Sequence, residues 1–179
     1  QIERSLKEIE EARLELKPTS IVLPSIENSW RVVYREMNAE ETGAVTETST
    51  ALEVPEKLDD VFWVAMALQE WLHAKALKYL PRHLEKVSVK LKLSYHRVRI
   101  KRQKTRWGSC SIGRNINLNR NLMFMSPEVI DYVLHHELVH LKVLNHSPEF
   151  WKELGRSFPG YKERVRELRY YGANRTPEW

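Results

Sequence analysis

Disulfides are out of reach for this chain. It has one cysteine, Cys110, among 179 residues, so no internal cross-link can form and a reducing compartment is the simpler expectation. No apolar stretch approaches the 18 or more residues of a membrane span, and the amino end is charged throughout, without a signal peptide's apolar core. A cytoplasmic protein with no membrane partner is expected. No internal repeat is visible. The first residue is Gln1, so residues before it are expected to be missing. Neither sign of charge dominates: 29 Lys and Arg against 24 Asp and Glu leave a formal +5 and a pI near 9.3, which permits an acidic partner without demanding one. Hydrophobic residues at 42%, with six tryptophans, suffice for one sizeable core.

What is present is a rare constellation. His136, Glu137 and His140 stand as His-Glu-Leu-Val-His, and His146 follows. Residues four apart share a helix face, so His136 and His140 can offer two imidazole nitrogens to one metal ion, while Glu137 lies about 100° round, beside the metal and not on it. A metal-activated water needs a nearby base, and Glu137 is placed to be one. The surroundings suit a helix. Ser126-Pro127-Glu128 supplies an N-cap, a proline at the first helical position and an acid in the first turn, and Val129, Ile130, Val133, Leu134, Leu138 and Leu141 form an apolar stripe. His135 points about 100° from His136 and is expected to pack or to bond backbone.

The third ligand requires a turn. On an unbroken helix His146 would lie about 80° from His136 and about 240° from His140, too far round to share their metal. Asn145 tolerates the left-handed conformation that ends many helices, and Ser147-Pro148-Glu149 repeats the helix-start chemistry. A break at Asn145 would return His146 to the metal; Glu149 or Glu153 would be the competing ligand.

Elsewhere the pattern predicts a short exposed helix over residues 2–16 and strands at Trp30–Arg35 and Thr50–Val54, joined by a polar stretch around Gly43. A core helix follows from Leu58 to about Leu80 on Phe62, Met66, Leu72, Ala76 and Leu77, with Pro81 marking a restart. Val98–Ile100, Thr105–Cys110 and Ile116–Leu118 read as strands, and helices from Ser147 to about Tyr171 break at Pro159-Gly160. The fold class is α+β, with a helical and two-stranded segment at 1–57 packed on a main domain at 58–179 as one structural unit. Asn115–Asn119 is the candidate edge strand that an extended peptide could join beside the metal.

Several stretches together resemble the YgjP-like metallopeptidases, a zincin group similar to the SprT-like proteases. They are Lys104-Thr105-Arg106-Trp107-Gly108-Ser109-Cys110, Ile116-Asn117-Leu118-Asn119, the His-Glu-Leu-Val-His run, and Asn145-His146-Ser147 with Phe150-Trp151. The resemblance implies a zincin-type domain with a small mixed sheet on the active helix. It implies His136, His140 and His146 as ligands of zinc or another divalent metal, Glu137 as catalytic acid, and a peptide or protein substrate. The metzincins are set aside: Val143 stands where they carry a glycine, and no methionine turn follows the third histidine.

Arg97, Arg99, Lys101, Arg102, Lys104 and Arg106 crowd into ten residues. Alternation with Val98 and Ile100 suits the solvated face of a strand, while a phosphate clamp near the metal is the sharper alternative. A metal-dependent nucleoside-triphosphate pyrophosphatase is therefore the rival enzyme, as the resemblance also leaves open. A SprT-like protease acting on DNA-associated proteins is a further one, with DNA permitted but not required. A DNA-binding module with a structural metal fits less well, because such sites fill all four positions with protein. Arg106 or Tyr161 could stabilise an oxyanion, and Asn117 and Lys101 complete the candidate substrate contacts. The loop around Gly43 and the tail ending at Trp179 are segments that could occlude the site.

Overall fold

The computed structural model describes residues 16–37, 43–57, 60–172, 176, 177 and 179. The expected helix over 2–16 lies almost wholly outside them. No described helix is long and apolar enough to cross a membrane. The described residues separate into two compact units, one from 16–23, 27–37, 43–57, 60–72, 177 and 179, the other from 24–26, 73–172 and 176.

The first unit holds a four-stranded sheet: β1 (Ser20–Leu23), β2 (Asn28–Glu36), β3 (Thr46–Glu47) and β4 (Ala51–Glu56), in the order β1-β2-β4-β3. β2 and β4 are the two strands expected from sequence. They run parallel, with β1 and β3 antiparallel at the edges. Ile21, Leu23, Trp30, Val32, Leu52 and Val54 alternate onto a buried face, as period-two burial requires. Trp30 meets Trp71 edge-on at 5.3 Å, and each indole N–H finds a carbonyl or carboxylate, Thr48 O at 3.1 Å and Glu47 Oε2 at 2.9 Å.

The helix α1 spans Val61–Leu91, so Pro81 does not restart it but lies inside it. A mid-helix proline costs about 3 kcal/mol, yet Leu80 and Leu84 beside it are completely buried and Val87 nearly so, and their burial offsets the lost hydrogen bond. The apolar stripe also differs from the expected one. Phe62, Met66 and Leu77 are 74%, 60% and 51% exposed, while Leu72 and Ala76 are buried as expected and Val64, Leu68, Leu80 and Leu84 complete the buried face. The buried residues recur every four positions, and Phe62, Met66 and Leu77, four and eleven apart, also share one helix face, so only tertiary packing selects between them.

The second unit builds the site on β5 (Arg97–Lys101), β6 (Gly108–Cys110), β7 (Asn115–Asn119), α2 (Pro127–Val139), α3 (Pro148–Ser157) and α4 (Tyr161–Gly172). The architecture is α+β, and the small sheet is mixed as expected. Its order is β5-β7-β6, with β7 parallel to β5 and antiparallel to β6. Asn115–Asn119 is thus the central strand and not an edge. Ile116 and Leu118 are fully buried while the asparagines between them use their amides locally; Asn117 Nδ2 donates to Ser109 Oγ at 3.0 Å. Asn119 Nδ2 donates to Gln103 O at 2.7 Å and Arg106 O at 2.9 Å. That draws residues 103–106 into a loop, and β6 begins only at Gly108, three residues later than the sequence suggests. Between α3 and α4 the break falls where expected, with Gly160 at φ +83°, a conformation costly for side-chain-bearing residues.

Candidate metal centre

α2 begins as its sequence dictates. The Ser126 hydroxyl accepts from Val129 N–H, Pro127 follows at the first helical position, and Val129, Ile130, Leu134 and Leu138 are fully buried. The helix ends at Val139, earlier than Asn145. Leu141 N and Lys142 N donate to Leu138 O and Val139 O at 3.0 and 2.9 Å, the tightened turn that closes many helices. Asn145 is not left-handed; its Oδ1 instead accepts from Ser147 N–H at 3.3 Å and shapes the turn into α3.

This turn returns His146 to the helix. His136 Nε2 lies 3.2 Å from His140 Nε2 and 2.9 Å from His146 Nε2, and the three donor atoms all fall within 4.8 Å of one another. Nitrogens sharing one tetrahedral zinc at about 2.0–2.1 Å stand roughly 3.3 Å apart, so the cluster has the dimensions such an ion needs. Tautomers agree. His140 Nδ1 lies 3.0 Å from Val143 O and can donate to it, leaving the Nε2 lone pair free to face the cluster. Neither Glu149 nor Glu153 joins the group; Glu153 is paired with Lys142 and Arg156 at 3.1 and 2.7 Å.

α3 buttresses the histidines. Phe150, fully buried, stacks on His140 with centroids 4.5 Å apart and meets His136 and His146 at 4.8 Å each. The Trp151 indole N–H donates to His146 O at 3.1 Å, holding the loop that carries the third imidazole. Burial, reinforced by the charges of His140 and His146, pushes His136 down to about 3, and burial also lowers His140. Both are neutral near pH 7, the form that ligates metals. His135 behaves as expected: its Nδ1 lies 2.8 Å from Asp131 O and its ring packs on Phe158 at 5.0 Å.

Glu137 is 5% exposed. Burial pushes its carboxyl up to about 8 against the lowering influence of Arg106, and Oε2 has no hydrogen-bond partner among the described residues. A buried oxygen left so costs about 1–3 kcal/mol or more, a cost expected of a group that awaits a partner. Gly108 makes room for it. A Cβ there would stand 2.5 Å from Glu137 Oε1 and 2.7 Å from its Cγ, so any larger residue in β6 displaces the carboxylate.

The histidines and Glu137 line a cleft of about 410 Å³, whose other wall includes Arg106, Gly108 and Cys110. Among the expected substrate contacts, Arg106 reaches this cleft. Lys101, Asn117 and Tyr161 do not line it: Lys101 is exposed at the end of β5, Asn117 lies in the central strand, and Tyr161 stacks on Trp151 at 5.6 Å. Sequence reasoning missed three participants. Gly108 and Phe150 were visible only as parts of motif stretches, and Tyr132, whose hydroxyl is 3.4 Å from His136 Nδ1, was signalled only by its four-residue offset from His136. Cys110 is no nucleophile here, because burial and then the Glu137 charge push its thiol up to about 11.

A sequence model described as YgjP-like, metallopeptidase domain matches residues 1–171. Among solved structures, the metallopeptidase zymogen abylysin of Pyrococcus abyssi is similar at 30% identity and TM-score 0.46, covering 51% of this chain and 92% of its own. The metallopeptidase zymogen jannalysin of Methanocaldococcus jannaschii is similar at 24% identity and TM-score 0.44, with the same coverage of each chain. No curated protein matches.

Proposed function

Because the chain belongs to the YgjP-like metallopeptidase family, we propose that it hydrolyses peptide bonds at a zinc ion held by His136, His140 and His146, with Glu137 as proton carrier. One observation carries this reading: three imidazole nitrogens within 4.8 Å of one another beside a buried, unpartnered carboxylate oxygen in one cleft. Zinc bound by three imidazoles supplies a lowered water pKa and a polarised carbonyl oxygen.

The chain's own groups do the rest. Glu137 takes the proton of the attacking water as the new C–O bond forms, and gives it to the leaving amine nitrogen as the C–N bond breaks. A raised carboxyl pKa favours that double role, since a group near neutrality can both accept and return a proton. A cation at the histidines acts the other way, so the working value lies below the one set by burial alone. Arg106, at the cleft wall, is placed to meet the carbonyl oxygen as it gains charge. β6 is an edge strand beside Glu137, and an extended peptide can add to it by main-chain hydrogen bonds, the role first expected of β7.

No observation favours the nucleotide reading of this cleft, because Arg106 is the one cation of the basic run that lines it. The decisive experiment incubates the zinc-loaded chain, and its Glu137→Gln variant, with casein and separately with nucleoside triphosphates. Casein cleavage lost in the variant supports the proposal. Nucleotide turnover without proteolysis, or full proteolysis by Glu137→Gln, overturns it.

A further inference from the structure

α1 lines a second concavity of about 390 Å³, which shares no lining residue with the histidine cleft. Lys75, Lys78, Arg82 and Lys86 stand along it, and offsets of three and four residues put them on one helix face. No acidic side chain lines the cavity. Lys78, Arg82 and Lys86 are exposed and form no ion pair among the described residues. Like charges four apart, as Lys78 with Arg82 and Arg82 with Lys86, weaken a helix, and no ion pair among the described residues offsets these three.

A solvated charged face is the usual account of such a row, and three features go beyond it. The row borders a cavity of a size that suits small ligands. The same cavity is walled by the Tyr79 ring and by Ile26 and Met123, an apolar surface next to the cations. Finally, His83 lines it with a ring whose orientation Asp131 fixes. Its Nε2 lies 2.6 Å from Asp131 Oδ1, while Nδ1 is buried without a partner among the described residues. The Tyr79 ring meets the imidazole edge-on at 5.5 Å and helps fix its plane.

We propose that this cavity binds a phosphorylated ligand bearing a planar group, the chemistry of a nucleotide, with phosphates on Lys78, Arg82 and Lys86 and the ring against Tyr79. The Arg82 fork matches phosphate oxygens in pairs, and the lysines add point charges. The site binds and does not hydrolyse, and it stands whether or not the histidine cleft cleaves peptides.

The test titrates the full chain calorimetrically with ATP, inorganic triphosphate and adenosine. ATP should bind with micromolar affinity that falls as salt rises, triphosphate more weakly, and adenosine not measurably. Arg82→Glu with Lys86→Glu should lower ATP affinity at least tenfold without changing the ligand-free melting temperature, whereas Arg106→Ala in the other cleft should leave it unchanged. Should the double charge reversal unfold the chain, Arg82→Gln with Lys86→Gln must still weaken ATP several-fold. Absent ATP binding, affinity unmoved by these variants, or binding lost in Arg106→Ala overturns the proposal. So does a single-stranded oligonucleotide that binds more tightly than ATP and is equally sensitive to the double variant, since the cavity would then be part of a nucleic-acid surface.

Discussion

Gly108→Ala is the smallest change that should uncouple Glu137 from its cleft. The added methyl would sit 2.5 Å from Oε1, 2.7 Å from Cγ and 2.8 Å from Cδ of Glu137, against an ordinary contact of 3.4 Å or more. Relief at Oε1 therefore needs a displacement of about 0.9 Å, from 3.4 − 2.5. Misplacing a reacting group by about 1 Å can cost on the order of 100-fold in rate. The backbone raises no objection, since Gly108 is not among the glycines with positive φ. Overpacking costs about 1–3 kcal/mol and the stiffer unfolded chain returns about 0.4–1, so stability should fall by no more than about 2.6 kcal/mol. The assay compares kcat and KM for a peptide, the melting temperature, and zinc stoichiometry. A loss of roughly 100-fold concentrated in kcat, with zinc still bound, is the expected pattern. Unchanged kcat in folded, zinc-loaded Gly108→Ala would refute the idea that the close approach positions the carboxylate, and loss of zinc would mean the methyl disturbs the histidines instead.

Four other outcomes follow from the same geometry. Glu137→Gln should retain zinc and fold while losing on the order of 100- to 10,000-fold in peptide turnover, measured at saturating substrate. Chelation should abolish hydrolysis and stoichiometric zinc should restore it; activity surviving with no detectable metal would sink the three-histidine reading. Pro81→Ala restores an N–H toward Leu77 O, and chemical denaturation should show a gain of about 1–2 kcal/mol after the entropic loss; destabilisation would mean α1 needs its proline. Asp131 is partly buried, which raises its pKa, but the hydrogen bond and charge of His83 prevail and hold it below the ordinary carboxylate value. A depressed carboxylate contributes stability above its unfolded pKa and loses it as pH falls through the folded one. Thermal melts from pH 5 downward should therefore show a shallower acid loss in Asp131→Asn than in the parent, and equal slopes would assign the pair no role.

The two-histidine face, its neighbouring glutamate, the Ser-Pro-Glu helix start and the α+β order of elements are legible in sequence because they are local. A cap, a proline and a 3.6-residue period act within a few positions, and α2 starts where they say. Strand pairing is not local, which is why β7, rich in asparagine, reads as an edge although it carries Ile116 and Leu118 through the middle of the sheet. α1 shows the same limit: two apolar faces have helical spacing, and only burial against the rest of the fold leaves Phe62 in solvent and Leu68 inside.

From its residues alone the chain determined which groups could share a metal and which acid would stand beside it, because helix geometry fixes the offsets of His136, Glu137 and His140. The tertiary structure alone decided that His146 turns back to within 2.9 Å of His136, that Phe150 supports all three rings, and that Gly108 leaves space for the carboxylate. These are contacts between separate elements of the fold, made by packing and loop closure, and no periodicity within one segment encodes them.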